Sequence, residues 1–213
     1  MRTTLVAAVV VGVAGSAALA ERIDLFVYEN SNGADVSGLD LWVDVVDRGS
    51  YAEFTFHNDS SISSFVRSIY IEKTSFSNSS LEDGAIVEPQ PVGVKFINGG
   101  SPPNPAGSIR HFGGEWQGNL LAVKARSGGS NKDGIDQGEY VGLRFDYDGI
   151  TFQDLLDALS GDTPAFRIAQ HVQGLPYGYS VWTMNDGGRI VPLPSASAMA
   201  MVGMGLVSLR RRR

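Results

Sequence analysis

Cysteine is absent from this 213-residue chain, and histidine occurs only three times. Without cysteine the chain can form neither disulfide bonds nor cysteine-ligated metal centres, so its folded part must be stabilised by packing. The sequence also contains no Gly-x-Ser-x-Gly motif and no His-x-x-x-His pair. These are the local signals of a serine hydrolase and of a helical zinc site. We therefore predict that the protein is not an enzyme and that His57, His111 and His171 are structural.

Basic residues are scarce outside the two ends of the chain. The chain has 17 basic and 23 acidic residues, and five of the basic ones are Arg2 and the four terminal arginines. The remainder keeps 12 basic residues against 23 acidic ones, a net charge of about −11. Binding to nucleic acid requires a basic surface that neutralises phosphates, so nucleic acid is not an expected partner. An acidic body is instead expected to be soluble and to attract cations.

The N-terminal segment has the three parts of a secretory signal peptide. Arg2 provides the positive charge, residues 5–13 form the apolar stretch, and Ala18 and Ala20 are the small residues of a cleavage site. We predict that signal peptidase removes residues 1–20 and that the protein is exported.

The C-terminal segment, residues 190–213, combines a proline motif, an uncharged apolar run at 195–209 and an arginine cluster. Fifteen residues in a helix span about 22 Å, which crosses a hydrocarbon core of about 30 Å only if the bilayer thins. The arginines would stay on the cytoplasmic side and leave the rest of the chain outside. The motif is Val191, Pro192, Leu193 and Pro194, and the cluster is Arg210, Arg211, Arg212 and Arg213.

Together the two ends resemble the PEP-CTERM family of bacterial surface proteins. The usual motif of that family is Val-Pro-Glu-Pro, so with Leu193 in place of Glu this tail resembles a VPLP-type variant. The resemblance implies that an exosortase-type enzyme processes the chain near the motif, with transient or retained membrane anchoring through residues 195–209. It also implies a location in the cell envelope, at the cell surface or in the extracellular matrix.

Three short stretches of the body also resemble exported proteins of this family. They are residues 54–60, 136–139 and 167–174, which contain a strand ending in Asn58, a Gly-Glu turn and a His-Val-Gln-Gly sequence. The resemblance implies a β-sandwich surface domain associated with matrix or exopolysaccharide, and it supplies no catalytic residues.

Residues 21–189 are long enough for one domain with a substantial core. Short runs rich in Val, Phe, Tyr and Trp predict about ten strands, and together they indicate an all-β antiparallel β-sandwich, either jelly-roll or Ig-like. Residues 151–159 carry apolar side chains at helical spacing and are predicted as the only helix of the body. The predicted strands are 23–28, 39–46, 51–57, 64–73, 85–88, 92–96, 120–125, 139–147, 165–172 and 179–184.

Two small-ligand sites are candidates. Asn131, Asp133, Asp136 and Glu139 place oxygen donors in a glycine-containing loop that suits Ca²⁺ but lacks EF-hand spacing, and an ordinary acidic hairpin turn is the simpler interpretation of this loop. Aromatic side chains in glycine-rich surroundings could instead form a sugar-binding platform, although aromatic residues in strands usually belong to a core. The platform candidates are Trp116, Tyr177, Tyr179 and Trp182.

We therefore expect an exported surface or matrix protein with a structural or adhesive role. The alternative is a carbohydrate-binding module for exopolysaccharide. A third hypothesis is a secreted hydrolase, in which two carboxylates such as Glu115 and Glu139 could serve glycoside hydrolysis.

Overall fold

The computed structural model describes residues 20–30, 33–72, 74–82, 84–100, 118–127, 133–160, 164–185 and 190–192. All of them belong to one compact unit, Leu19–Leu193. Residues 1–19 and 193–213 lie outside the described residues. The predicted cleavage residue Ala18, the motif residues Leu193 and Pro194 and the arginine cluster are therefore not described.

Twelve strands and two α-helices form the described part of the chain. The strands are β1 (Ala20–Asp24), β2 (Phe26–Glu29), β3 (Leu41–Asp47), β4 (Tyr51–Asn58), β5 (Phe65–Glu72), β6 (Ala85–Ile86), β7 (Phe96–Asn98), β8 (Asn119–Ala125), β9 (Glu139–Asp146), β10 (Ile168–Leu175), β11 (Tyr179–Met184) and β12 (Ile190–Pro192). The helices are α1 (Ser75–Ser80) and α2 (Phe152–Leu159), and a 3₁₀ turn, Pro176–Gly178, joins β10 to β11.

The strands pair into two antiparallel sheets of six strands each, so the predicted all-β class is confirmed. The first sheet has the order β12-β1-β3-β4-β9-β6, and the second has the order β2-β11-β10-β5-β8-β7. Strand β4 shows why the chain folds in this way. Ala52, Phe54 and Phe56 are fully buried and alternate with partly exposed residues, which is the pattern of a strand with one face on a core.

One continuous hydrophobic core contains residues from both sheets, including Val43, Phe54 and Phe145 of the first sheet and Ile69 and Val123 of the second. Helix α2 contributes its predicted apolar stripe to this core. Its first turn is closed by a capping box, in which Thr151 and Asp154 each accept a hydrogen bond from the other's backbone N–H. The predicted helix at this place is confirmed.

The prediction that the body contains only one helix is wrong, because α1 precedes β6. Its sequence, Ser-Phe-Ser-Asn-Ser-Ser, has no apolar stripe, so helical periodicity could not reveal it. The helix is started by a local capping box between Thr74 and Ser77. Phe76 then packs edge-on against Phe166, with ring centroids 6.4 Å apart.

The predicted strand 23–28 is divided at Leu25, where the chain passes from one sheet to the other. Strand β1 pairs with β3 in the first sheet, whereas β2 pairs with β11 in the second. The predicted strand 92–96 also differs, because residues 92–93 form a turn and pairing begins at Phe96. Neither described helix is long and apolar enough to cross a membrane, and residues 195–209 lie outside the described part of the chain.

Candidate functional site

The second sheet has a cluster of apolar and aromatic side chains that is separate from the main core. Tyr70, Ala169 and Met184 are its buried members, and Trp182 packs against them. The neighbouring positions Ile69 and Val181 belong to the main core. Because side chains alternate along a strand, the cluster lies on the sheet face that points away from the core.

A row of four residues crosses this face on four adjacent strands. The register places Trp182 of β11 opposite His171 of β10, His171 opposite Ser68 of β5, and Ser68 opposite Lys124 of β8. The indole of Trp182 stacks on the imidazole of His171, with ring centroids 4.6 Å apart and an angle of 9° between the planes. Ser68 is the only small side chain in the row, so a gap is left between the His171 ring and Lys124.

This gap is part of a pocket of about 260 Å³. Gly100 closes one side beside Tyr70, and a Cβ atom at this position would lie 3.1 Å from a Tyr70 ring carbon. Glycine therefore allows the backbone to approach this ring closely. The pocket is lined by Arg67, Ser68, Tyr70, Gly100, Lys124, His171 and Trp182.

A β-bulge directs Arg67 to the pocket. Ser68 pairs with His171 and Val66 pairs with Val172, so β5 advances by two residues where β10 advances by one. Arg67 is the extra residue, and a bulge changes the direction of such a side chain. Arg67 and Ser68, although consecutive in the strand, therefore line the same pocket.

The pocket is positively charged. Arg67 and Lys124 contribute two cations, and none of the described residues that line the pocket carries a carboxylate. Burial, with a smaller effect of the Arg67 charge, lowers the pKa of His171 to about 4. The imidazole is therefore neutral at pH 7 and presents an uncharged ring. This site contrasts with the chain as a whole, whose net charge is −6.

Known proteins do not provide a template for this pocket. No protein-family model, curated protein or solved structure matches the chain. The aromatic wall, the two cations and the volume of the pocket are the features that define what it can bind.

Of the predicted sugar-platform residues, the structure describes Tyr177, Tyr179 and Trp182, and the two tyrosines lie together while only Trp182 lines the pocket. Trp182 lines the pocket, whereas Tyr179 packs against the main core. Tyr177 is 92% exposed at the 3₁₀ turn, with its ring centroid 6.0 Å from that of Tyr179. Trp116 lies outside the described residues.

The six other residues that line the pocket were not predicted as ligand-binding residues, and among them only His171 was considered, as a structural residue. They are Arg67, Ser68, Tyr70, Gly100, Lys124 and His171. No local motif marks them, because they meet only through strand register and a bulge.

The candidate calcium loop is only partly described. The Asp133 carboxylate accepts hydrogen bonds from the backbone N–H and the hydroxyl of Ser127, and these bonds help to lower its pKa. Glu139 accepts a hydrogen bond from the backbone N–H of Asp136, at 2.8 Å. Burial, together with the negative charge of Glu139, raises the pKa of Asp136.

Within the described residues, no group of three or more His, Asp or Glu side chains is placed to hold a metal ion. Asn131 lies outside them, so calcium binding by the full set of four stays a prediction. The candidate hydrolase pair is also incomplete, because Glu115 is not described.

The outward face of the first sheet has a second stack of rings. Trp42, His57 and Tyr140 lie opposite one another on β3, β4 and β9. The Trp42 and His57 rings are stacked with centroids 4.8 Å apart, and the Arg22 guanidinium lies 4.2 Å from the Trp42 ring centre. Rings fill three successive positions of this row, whereas the row of the second sheet is interrupted at Ser68.

Proposed function

We propose that this chain is an exported protein of the cell envelope, cell surface or extracellular matrix, similar to PEP-CTERM proteins and with a structural or adhesive role. Signal peptidase and an exosortase-type enzyme would be its processing partners, and residues 195–209 would contact the membrane transiently or anchor the protein there. The body would be a β-sandwich, of jelly-roll or Ig-like type. Two six-stranded sheets that share one core support this architecture.

The observation that carries this proposal is the pairing of the first and last strands. Glu21 pairs with Pro192, and Ile23 pairs with Ile190, so β1 and β12 are neighbours in the first sheet. The residues that follow the predicted signal peptide and those that precede the predicted membrane segment therefore share one sheet edge. Both ends of the mature domain would then leave from one sheet edge, which suits a protein that is processed at both ends and attached through one of them.

Intact mass spectrometry of the protein from membrane, surface and medium fractions of its host tests this proposal. We expect a species that begins at Glu21 and ends near Pro194, because the targeting segments are removed and β1 and β12 are kept. A variant with all four terminal arginines changed to glutamine should keep its tail, since the charges that orient the segment are lost. A wild-type protein that extends to Arg213 in every fraction would overturn the processing proposal and favour a permanently anchored domain.

A second candidate function, carbohydrate binding without catalysis, is favoured by the pocket on the second sheet. Its volume of about 260 Å³ lies just below the range of drug-sized sites, roughly 300–1,000 Å³, and suits a single sugar unit. The stacked rings of Trp182 and His171 offer the apolar surface against which the C–H face of a pyranose packs. Such a site would give the protein its adhesive role on exopolysaccharide.

Changing Trp182 to alanine tests this candidate function by retention in polysaccharide-containing gels. We expect retention to weaken about tenfold, since the loss of the indole leaves the His171 ring unsupported, and a 1.4 kcal/mol loss corresponds to that factor. Trp42→Ala is the matched control, because Trp42 stacks on His57 in the same way on the outward face of the first sheet and does not line the pocket. Thermal unfolding verifies that both variants are folded. A folded Trp182→Ala protein with full retention would exclude this pocket as the sugar site.

A further inference from the structure

We propose that the pocket on the second sheet binds a carboxylate-bearing sugar unit, that is, a uronate residue of an acidic polysaccharide. This inference rests on the carbohydrate-binding candidate function and specifies the class of its ligand. Three properties of the pocket support it, namely its unneutralised cations, the gap at Ser68 and the uncharged imidazole wall.

Neither cation of the pocket forms an ion pair with a residue that the structure describes. Within the described part of the chain, Lys124 makes no ion pair or side-chain hydrogen bond, and Arg67 donates one hydrogen bond of 3.4 Å, to the neutral amide of Gln173. Arg67 precedes Ser68 in β5, and Lys124 lies opposite Ser68 on β8, so the two charges flank the gap from two strands. Adjacent cations that lack a counter-charge attract an anion.

The gap at Ser68 determines where a sugar ring fits. Trp182 covers the β11 side of the His171 ring, so the opposite ring face is directed towards the strand that carries Ser68. A sugar ring placed over Ser68 would lie against this imidazole face, with its substituents within reach of Lys124. The Ser68 hydroxyl on the floor of the gap can donate or accept a hydrogen bond to a sugar hydroxyl.

The neutral state of His171 favours a sugar acid over an isolated inorganic anion. An uncharged ring contributes an apolar wall, and phosphate or sulfate alone would gain little from it. A uronate uses both sides of the pocket, because its ring packs on the imidazole while its carboxylate meets the cations. The planar guanidinium of Arg67 is suited to a carboxylate, which it can bind through two parallel hydrogen bonds.

The test compares the same sugar backbone with and without its charge. The mature protein recovered from the host would be run in gels that contain polygalacturonate, fully methyl-esterified polygalacturonate, a neutral galactan or dextran sulfate. We expect polygalacturonate to retain the protein and its methyl ester to retain it at least about tenfold more weakly. Esterification removes the carboxylate charge, and a charge-assisted contact contributes about this factor.

Lys124→Met removes one of the two pocket cations and keeps most of the length of the side chain, so we expect it to reduce retention by polygalacturonate about tenfold. Lys95→Met is the matched control, because Lys95 is also exposed on the surface and does not line the pocket. It changes the net charge equally, and we expect it to leave retention unchanged.

The possible outcomes separate this inference from the function on which it rests. Equal, Trp182-dependent retention by the ester or the galactan, unaffected by Lys124→Met, would overturn the uronate inference and leave carbohydrate binding intact. Equal retention by dextran sulfate and polygalacturonate would overturn selectivity for a carboxylate. No retention by any of the four polymers would overturn both proposals.

Discussion

Changing Glu72 to alanine is expected to destabilise the protein by about 3–5 kcal/mol, because it removes the carboxylate that binds the buried guanidinium of Arg167. Glu72 ends β5 and is 0% exposed, and Arg167 precedes β10 and is 8% exposed. The guanidinium donates hydrogen bonds from Nε and Nη2 to the two carboxylate oxygens of Glu72. The backbone N–H of Glu72 also donates to the Arg167 carbonyl, at 3.0 Å. Urea denaturation measures the free energy of unfolding.

Two further variants test whether the loss of stability comes from breaking a buried ion pair rather than from removing a carboxylate anywhere on the protein. Asp146→Ala breaks the surface ion pair of Arg144 and Asp146, whose side chains are 45% and 37% exposed. We expect it to lower the free energy of unfolding by less than about 1 kcal/mol. The double change Glu72→Leu with Arg167→Met removes both charges and should recover much of the lost stability. If Glu72→Ala lowered the free energy of unfolding no more than Asp146→Ala, the buried pair would not stabilise the fold.

Changing Phe166 to alanine is expected to destabilise the protein by about 3–5 kcal/mol, the usual cost of removing a buried aromatic ring. Phe166 is fully buried, and its ring centroid lies 5.6 Å from that of Phe54 and 6.0 Å from that of Phe145. It also contacts Phe76 of α1, so one side chain connects the first sheet with this helix. For a domain of this size, such a loss lowers the melting temperature by roughly 10 °C or more, which thermal unfolding measures.

Phe166→Leu serves as the graded control for this change. Leucine fills part of the space of the ring, so Phe166→Leu should destabilise the protein much less than Phe166→Ala. If Phe166→Ala lowered the free energy of unfolding by less than about 1 kcal/mol, the surrounding rings would have closed the cavity, and Phe166 would not be central to the core.

The sequence predicts those elements whose pattern is local. In β4 the alternation of Ala52, Phe54 and Phe56 is visible without knowledge of any partner strand, and α2 is marked by its cap and its apolar stripe. The break at Leu25 is different, because it depends on β3 and β11, which lie far apart in the sequence. Helix α1 escaped prediction because a serine-rich segment held by a cap has no hydrophobic periodicity.

The pocket shows the same limit at the level of function. Trp182 could be selected from the sequence because aromatic residues in glycine-rich surroundings suggest a binding surface. The role of Ser68 could not, because a small residue becomes a gap only when its neighbours across the sheet are large. The position of Arg67 depends on a bulge opposite β10, which no pattern within β5 reveals.

The pairing of β12 with β1 has a mechanical consequence for a protein held by its C-terminal segment. A pull on the chain beyond Pro192 would load the Glu21–Pro192 pair first, and the three residue pairs of this short strand would open one after another, as in a zipper. Strands opened in this way resist less force than strands sheared along their whole length. Detachment of β12 would release tension before the core was strained. It would also expose the edge of β1, whose free backbone groups could pair with a strand of another molecule.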